Sequence, residues 1–320
     1  MTKQQFRTIK FHKKNLDLLE KIKEILEEFA AQGITITLRQ LYYQLVARDI
    51  IPNQVSEYTK LSCLLTNARY NGNIDWDAIE DRVRVPTNPQ IFEDIEEIIM
   101  VAMHSYKLDR WKGQEYYVEL WTEKDALSSV ISPLCKKWQI SFIVNRGYTS
   151  ASSIFESKQR LLDQVWKNKK CIILYLGDHD PSGLDMIRDI RERLEEFMNY
   201  NKGIRQENLE SSIPHDYGEN LNLTQDMIDN YLQVIPIALT QEQIKNYNPP
   251  PNFAKIKDPR AKDYIGTYGN TSWEVDALRP EVLQELIEKS ILKYLDIEKF
   301  EQVKKKEKED IEKLKERVKE

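Results

Sequence analysis

The sequence predicts an α/β protein in which a helical N-terminal domain precedes a domain built on a mostly parallel sheet. Two apolar runs carry this expectation: Tyr116-Tyr117-Val118-Glu119-Leu120-Trp121 and Cys171-Ile172-Ile173-Leu174-Tyr175-Leu176. Both are rich in β-branched and aromatic residues, and helical periodicity follows each, which is the order of βαβ units. Upstream of residue 112 the apolar residues recur mainly at helical spacing instead. The polar stretch 109–114, which contains Gly113, divides the two parts. The expected division is therefore 1–112, 113–297 and a charged helical tail at 298–320.

The ends of the two runs are the chemically informative positions. In parallel sheets, ligands gather outside the carboxyl ends of the strands. Glu123, Asp178 and Asp180 all fall at such ends. Three carboxylates in that place suit a hard divalent cation, Mg²⁺ or Mn²⁺, held against a phosphate. Asp178 and Asp180 point to one side of an extended end, with His179 turned away. Pro181 presets φ for a first helical turn, and Gly183 lets backbone come close. The structural alternative makes Asp178 a helix N-cap and Glu123 a solvated end residue.

Composition sets outer bounds. With 41% hydrophobic and 31% charged residues, the chain suits a globular protein with a sizeable core, and its length suits two domains. No apolar run approaches a membrane span. Met1-Thr2-Lys3-Gln4-Gln5 has no apolar segment behind it, so a secretory signal is not expected and a cytoplasmic, nucleoid-associated location is. Cys63, Cys135 and Cys171 are widely spaced, with no zinc or disulfide pattern. The net charge is −5, so any binding of nucleic acid requires local positive patches. One such patch precedes the first acid, Asp17: it contains Lys3, Arg7, Lys10, Lys13 and Lys14. Lys10 and Lys13 are expected to touch phosphate; the alternative is an ordinary solvated arm.

Taken in order, residues 15–31 form an amphipathic helix ended by Gly33. Ile34-Thr35-Ile36 is a short β-branched run, and Thr37 is an N-cap. In the next helix, 38–48, Leu38, Leu41, Tyr42 and Leu45 form the buried stripe, while Arg39 and Tyr43 share a shoulder outside it. Tyr42 therefore reads as core, and Tyr43 as a phenol offered to solvent or ligand beside a guanidinium. Residues 56–70 form a helix with Leu61, Leu64 and Leu65 inward. Arg82-Val83-Arg84-Val85-Pro86 alternates like an edge strand, a wing with Arg82 and Arg84 facing phosphate or simply surface arginines. Residues 90–110 are expected to form a long helix with Ile91, Phe92, Ile95, Ile98, Ile99 and Ala102 inward.

In the sheet domain, helices are expected at 126–138, 152–166 and 184–199, with a second strand at 140–145. Gly147 permits a tight turn beside Arg146, a candidate DNA contact, and Thr149 or Ser150 caps the helix that follows. Residues 202–222 read as a loop and 231–239 as a fourth strand, at a sheet edge because of Pro236. Thr240 caps a short helix, and Asn248-Pro249-Pro250-Pro251-Asn252 is a stiff connector. Residues 253–270 read as a mobile loop on the DNA side. Glu274 and Asp276 are a second alternating acidic pair, read as capping or as binding Lys and Arg, with a place in a metal shell as the lesser alternative. Pro280 opens a helix through Tyr294. The tail has sparse apolar positions and reads as solvated or partner-binding, not core.

Three segments carry a family resemblance. Thr122-Glu123-Lys124-Asp125-Ala126-Leu127 and Gly177-Asp178-His179-Asp180-Pro181-Ser182-Gly183 resemble the Toprim domain of topoisomerase VI A subunits and of the related meiotic double-strand-break proteins. Thr37-Leu38-Arg39-Gln40-Leu41-Tyr42-Tyr43 resembles the segment in that family that carries the nucleophilic tyrosine, in a winged-helix domain. The solitary bacterial and mobile-element A-like (Mini-A) proteins are similar in lacking an ATPase region. The resemblance implies Tyr43 as the nucleophile beside Arg39, and Glu123, Asp178 and Asp180 as ligands of Mg²⁺ or Mn²⁺. It further implies double-stranded DNA as substrate, a homodimer whose active site joins the tyrosine of one protomer to the metal of the other, and a separate ATPase subunit for strand passage.

A free phenol has a pKa near 10, so at pH 7 only about one part in a thousand is phenolate, a gap worth roughly 4 kcal/mol. Arg39 can stabilise phenolate and the charge developing at phosphorus. The expected activity is thus strand cleavage by tyrosine attack on a backbone phosphate. Two alternatives stand beside it: a Toprim nuclease using metal-activated water, with Tyr43 structural, and a non-catalytic DNA-binding module.

Overall fold

A computed structural model describes residues 5–79, 91–199, 223, 225–253 and 260–319. Three helices come first: α1 (Lys13–Ala31), α2 (Leu38–Ala47) and α3 (Val55–Tyr70). Helix α1 buries Leu19, Ile22, Ile25, Leu26 and Phe29, one apolar stripe at helical spacing. It runs out just before Gly33, whose φ of +71° is readily adopted only by glycine. Thr37 caps α2 in a reciprocal box with Gln40: each side chain satisfies the other residue's backbone N–H. Ile36 pairs with Ile79 in a single bridge, just past a 3-10 turn at Trp76–Ala78.

Helix α4 (Ile95–Ser105) leads to the sheet: β1 (Tyr116–Thr122), α5 (Ser128–Trp138), β2 (Ser141–Val144), α6 (Ala151–Trp166), β3 (Lys170–Leu176), α7 (Pro181–Asn199), α8 (Gln225–Tyr231) and β4 (Leu232–Ala238). The four strands pair in parallel in the order β2-β1-β3-β4. Pro236 lies on the edge strand β4, where its missing N–H costs no ladder bond. The rest is α9 (Gln241–Tyr247), β5 (Asn252–Phe253), α10 (Ala261–Tyr268), β6 (Thr271–Ser272), α11 (Pro280–Leu292) and α12 (Ile297–Lys319).

The period-two alternation of β1 and β3 sorts their side chains onto two faces. Val118, Leu120, Ile172, Leu174 and Leu176 pack against Leu127, Val130 and Ile131 near α5 and against Leu283, Ile287 and Ile291 on α11. Their buried set is continuous with that of α1, α2 and α3. Trp121, Cys171, Ile173 and Tyr175 face the other way, onto Leu161 and Val165 of α6 and Met186, Ile190 and Leu194 of α7. Both layers bring strand ends β1 and β3 to one rim, beside α2.

Several expectations change. The helix expected over 90–110 is shorter, and Ile91, Ile95 and Ile98 are exposed; Met103 is its buried residue. An apolar stripe signals a face that favours cover, not that this chain supplies the cover. The segment read as a loop over 253–270 contains helix α10, pinned where the Tyr264 hydroxyl meets His179 Nδ1 at 2.8 Å. The tail is docked rather than wholly solvated. Phe300 is buried against Trp138, and Glu307 accepts hydrogen bonds from Arg110 Nη2 at 2.7 Å and from the Leu108 N–H at 3.0 Å. The wing with Arg82 and Arg84, and the loop expected at 202–222, lie outside the described residues.

Candidate active site

Helix α2 and the sheet rim enclose a cleft of about 880 Å³. Arg39 and Tyr43 line it from α2; Glu123, Lys124, Asp178, Asp180 and Glu274 line it from the sheet half. The local chain explains each position. Glu123 and Lys124 follow the last residue of β1. Asp178 and Asp180 bracket the turn from β3 into α7, where the Val275 N–H donates to Asp178 Oδ1 at 2.9 Å. Gly183 is required there, because a Cβ would stand 2.2 Å from the Asp178 carbonyl oxygen. Asp180 caps α7, with Oδ1 accepting from the Gly183 N–H at 2.6 Å and from Ser182 Oγ at 2.8 Å. The capping role that the sequence offered for Asp178 thus belongs to Asp180.

The acids that converge most closely are Asp178, Glu274 and Asp276, with carboxylate oxygens within 4.8 Å of one another. The Lys124 ammonium sits among them, 2.7 Å from Asp178, 2.8 Å from Glu274 and 3.6 Å from Asp276; Glu123 is 3.9 Å away. Arg39 reaches over from α2, hydrogen-bonding Glu274 and placing Nε 3.2 Å from Asp276. Reading Glu274 and Asp276 as partners of Lys and Arg therefore holds. Asp276 is buried, and among the described residues neither of its oxygens accepts a hydrogen bond. An all-oxygen donor set containing such a carboxylate fits Mg²⁺ or Mn²⁺.

Charge and burial oppose each other throughout the cleft. Burial raises Asp178, Lys124 opposes this, and the charge of Glu123 together with a hydrogen bond to Glu123 raises it further. Burial likewise lifts Asp276 to about 6 against the pull of Lys124 and Arg39. Glu274 goes the other way: burial would raise it, but Lys124 and Arg39 outweigh burial and bring it down to about 2. Burial would lower Lys124 and Arg39, yet Asp276 and the other acids hold both above their usual values.

No family model matches the chain, and no curated protein matches it. The assignment of roles therefore rests on sequence pattern and geometry.

Tyr43 is placed differently from its expected exposed shoulder. It is 4% exposed, as buried as Tyr42 at 5%, in one core with Val275 and Ala277 of a 3-10 turn (Val275–Ala277) that packs against α2, and its hydroxyl meets Asn252. The Asn252 amide donates to the Tyr43 hydroxyl at 3.4 Å and to Glu274 at 3.4 Å. Asn53 holds Asn252 in turn, with its Nδ2 2.8 Å from Asn252 Oδ1 and 2.7 Å from the Pro251 carbonyl. The pairing of Arg39 with Tyr43 holds: the guanidinium lies 5.9 Å from the ring centroid. Burial and the charges of Glu274 and Asp276 raise the phenol pKa, with Asn252 and Arg39 opposing. The phenol and the acids of a single chain line the same cleft, whereas the family resemblance implied pairing across two protomers.

Among the candidate DNA contacts, Arg146 is exposed at a positive-φ turn and pairs with Asp125 at 3.5 Å. Lys10 and Lys13 are exposed but line a separate groove. Asn252, Asn53 and the central place of Lys124 carried no sequence signal beyond the Glu-Lys motif and a proline-rich connector.

Proposed function

We propose that the chain cleaves DNA, with Tyr43 attacking a backbone phosphate to form a phosphotyrosyl link. The observation that carries this reading is that Arg39 and Tyr43 share one cleft with Glu123, Asp178 and Glu274. In the attack the phenol oxygen bonds to phosphorus, the bond from phosphorus to one deoxyribose oxygen breaks, the phenol loses its proton and the leaving oxygen takes one up. Arg39 is placed to offset charge on phenolate and phosphate together. Asn252 orients the hydroxyl. Asp178, Glu274 and Asp276, with Glu123 and Asp180 beside them, would hold Mg²⁺ or Mn²⁺. That cation, when bound, supplies positive charge for a phosphate oxygen. The resemblance to topoisomerase VI A subunits supports the same chemistry; a homodimer and an ATPase partner belong to that resemblance.

A second reading, a nuclease using activated water, is favoured by one observation: the phenol is buried and held protonated. The two differ in product. Plasmid incubated with the protein and Mg²⁺ or Mn²⁺, then denatured in detergent, should carry protein on its ends, and Tyr43→Phe should abolish the adduct. Free ends made equally well by Tyr43→Phe would select the nuclease. No cut with either cation would overturn both. Among the described residues no helix is long and apolar enough to cross a membrane.

A further inference from the structure

A second, larger groove of about 990 Å³ lies on the N-terminal helices, and the cleft just described does not use it. It is lined by Lys10, Lys13, Lys14, Lys21 and Lys60, against which stand only Asp17 and Glu57 of its lining residues. In a chain of net charge −5, this is a local concentration of the opposite sign. Helix α1 accentuates it. Its first turn holds no acidic residue, its N-cap His12 makes no side-chain capping bond, and Lys13 and Lys14 sit at its positive end. Helix dipoles disfavour cations there, so the arrangement costs helix stability unless an anion lies alongside.

The groove and the acidic cleft share a wall. Pro52, Glu57, Lys60 and Leu61 line the groove, while Asn53, Gln54, Val55 and Tyr58 line the cleft. Val55, 86% exposed, lines the cleft side of this wall. We propose that the lysine groove is a track for the phosphate backbone of duplex nucleic acid, which crosses the shared wall at Val55 to reach the cleft. Lysines are point charges that grip phosphate without reading bases. Phe11, half-buried, is the groove's one aromatic lining residue, so it offers no platform of stacked rings of the kind that single strands use. This inference rests on the DNA reading above and adds where the substrate lies.

The chain carries its own reporter. Cys63 lines the groove and is exposed, whereas Cys135 and Cys171 are buried. With EDTA present to prevent cutting, a mixed-sequence 30-base-pair duplex should slow maleimide alkylation of Cys63 in the unmodified protein. The triple variant Lys14→Glu/Lys21→Glu/Lys60→Glu, checked for unchanged circular dichroism, should lose that protection. Its slope of log affinity against log salt should fall by roughly one per lysine. Duplex binding with Cys63 alkylated at the free rate would overturn the groove and leave the cleavage reading intact. So would an unchanged salt slope in the triple variant. Tighter binding of a single strand of the same length would overturn the duplex assignment. An unmodified protein that binds no duplex even when Mg²⁺ replaces EDTA would overturn the groove and the DNA reading together.

Discussion

Lys124→Met should destabilise the protein in a way that depends on pH and is relieved by a divalent cation. Lys124 is the ammonium shared by Asp178, Glu274 and Asp276. Removing one partner from a buried ion pair costs about 3–5 kcal/mol. Protonation sets a ceiling: a carboxyl of ordinary pKa near 4 becomes neutral at pH 7 for about 4 kcal/mol. The two bounds agree on about 3–4 kcal/mol, or about 6–8 °C in melting temperature at roughly 2 °C per kcal/mol. Burial already holds Asp178 and Asp276 above the usual carboxylate range. Without the ammonium, their folded pKa values rise further above the unfolded ones. A carboxyl raised in this way loses stability as pH rises through and beyond its unfolded pKa, so the gap from wild type should be small near pH 4 and widen toward pH 7. Mn²⁺ at about a hundred times its dissociation constant should return about 2.7 kcal/mol to the variant. Thermal unfolding at pH 4, 5.5 and 7, with and without Mn²⁺, reads all of this. A variant that melts with wild type at pH 7, or a gap that narrows as pH rises, would refute the reasoning.

Tyr43→Phe removes a hydroxyl whose one hydrogen bond among the described residues is 3.4 Å long, so its melting temperature should stay within about 2 °C of wild type, and loss of the covalent adduct would not be a loss of fold. Gly183→Ala must push a methyl into the Asp178 carbonyl, costing about 1–3 kcal/mol and weakening Mn²⁺ binding; titration calorimetry and denaturant melts check both. Glu307→Ala strands the buried Arg110 guanidinium and should cost about 3–5 kcal/mol, with α12 amides losing protection from hydrogen exchange ahead of those in β3. Because Asp178 and Asp276 are raised, binding of Mn²⁺ should release protons and tighten as pH rises from 5 to 7; calorimetry in buffers of different ionisation enthalpy counts them.

Strands β1 and β3 and the parallel character of the sheet were legible because these two strands are buried on both faces, and such strands read as continuous apolar runs bounded by turns. Capping was legible at Thr37, Thr240 and Ser150 because one side-chain oxygen decides it locally. Tyr43 shows where local reading ends. The helical wheel placed it outside the stripe formed by Leu41, Tyr42 and Leu45, yet it is buried in the same core as they are. Burial of Tyr43 comes from segments more than two hundred residues away in sequence, the turn Val275–Ala277 packed on α2 and Asn252 at its hydroxyl, and no periodicity within α2 reports it. The acidic site divides the same way. Asp178 and Glu123 were visible as strand ends, but Glu274 and Asp276 look like any alternating acids until folding sets Lys124 between them and Asp178. The docked tail was missed because one phenylalanine and one glutamate in a highly charged helix make too faint a stripe.

Glu274 and Asp276 act on both sides of the cleft at once, and this constrains the order of events under the tyrosine reading. They hold Lys124 and Arg39, and their charge also helps keep the Tyr43 phenol protonated. A nucleic-acid phosphate arriving first would add negative charge beside that phenol and make it a poorer nucleophile. It would also compete with Glu274 for Arg39, leaving buried carboxylates with one counter-charge fewer. Positive charge must therefore accumulate on the acids before the polyanion settles. Once the acids are neutralised, Arg39 can leave Glu274 for phosphate without exposing an unpaired carboxylate, and the main charge opposing ionisation of Tyr43 is gone. In this arrangement one pair of acids keeps the nucleophile quiet until the cleft has been loaded.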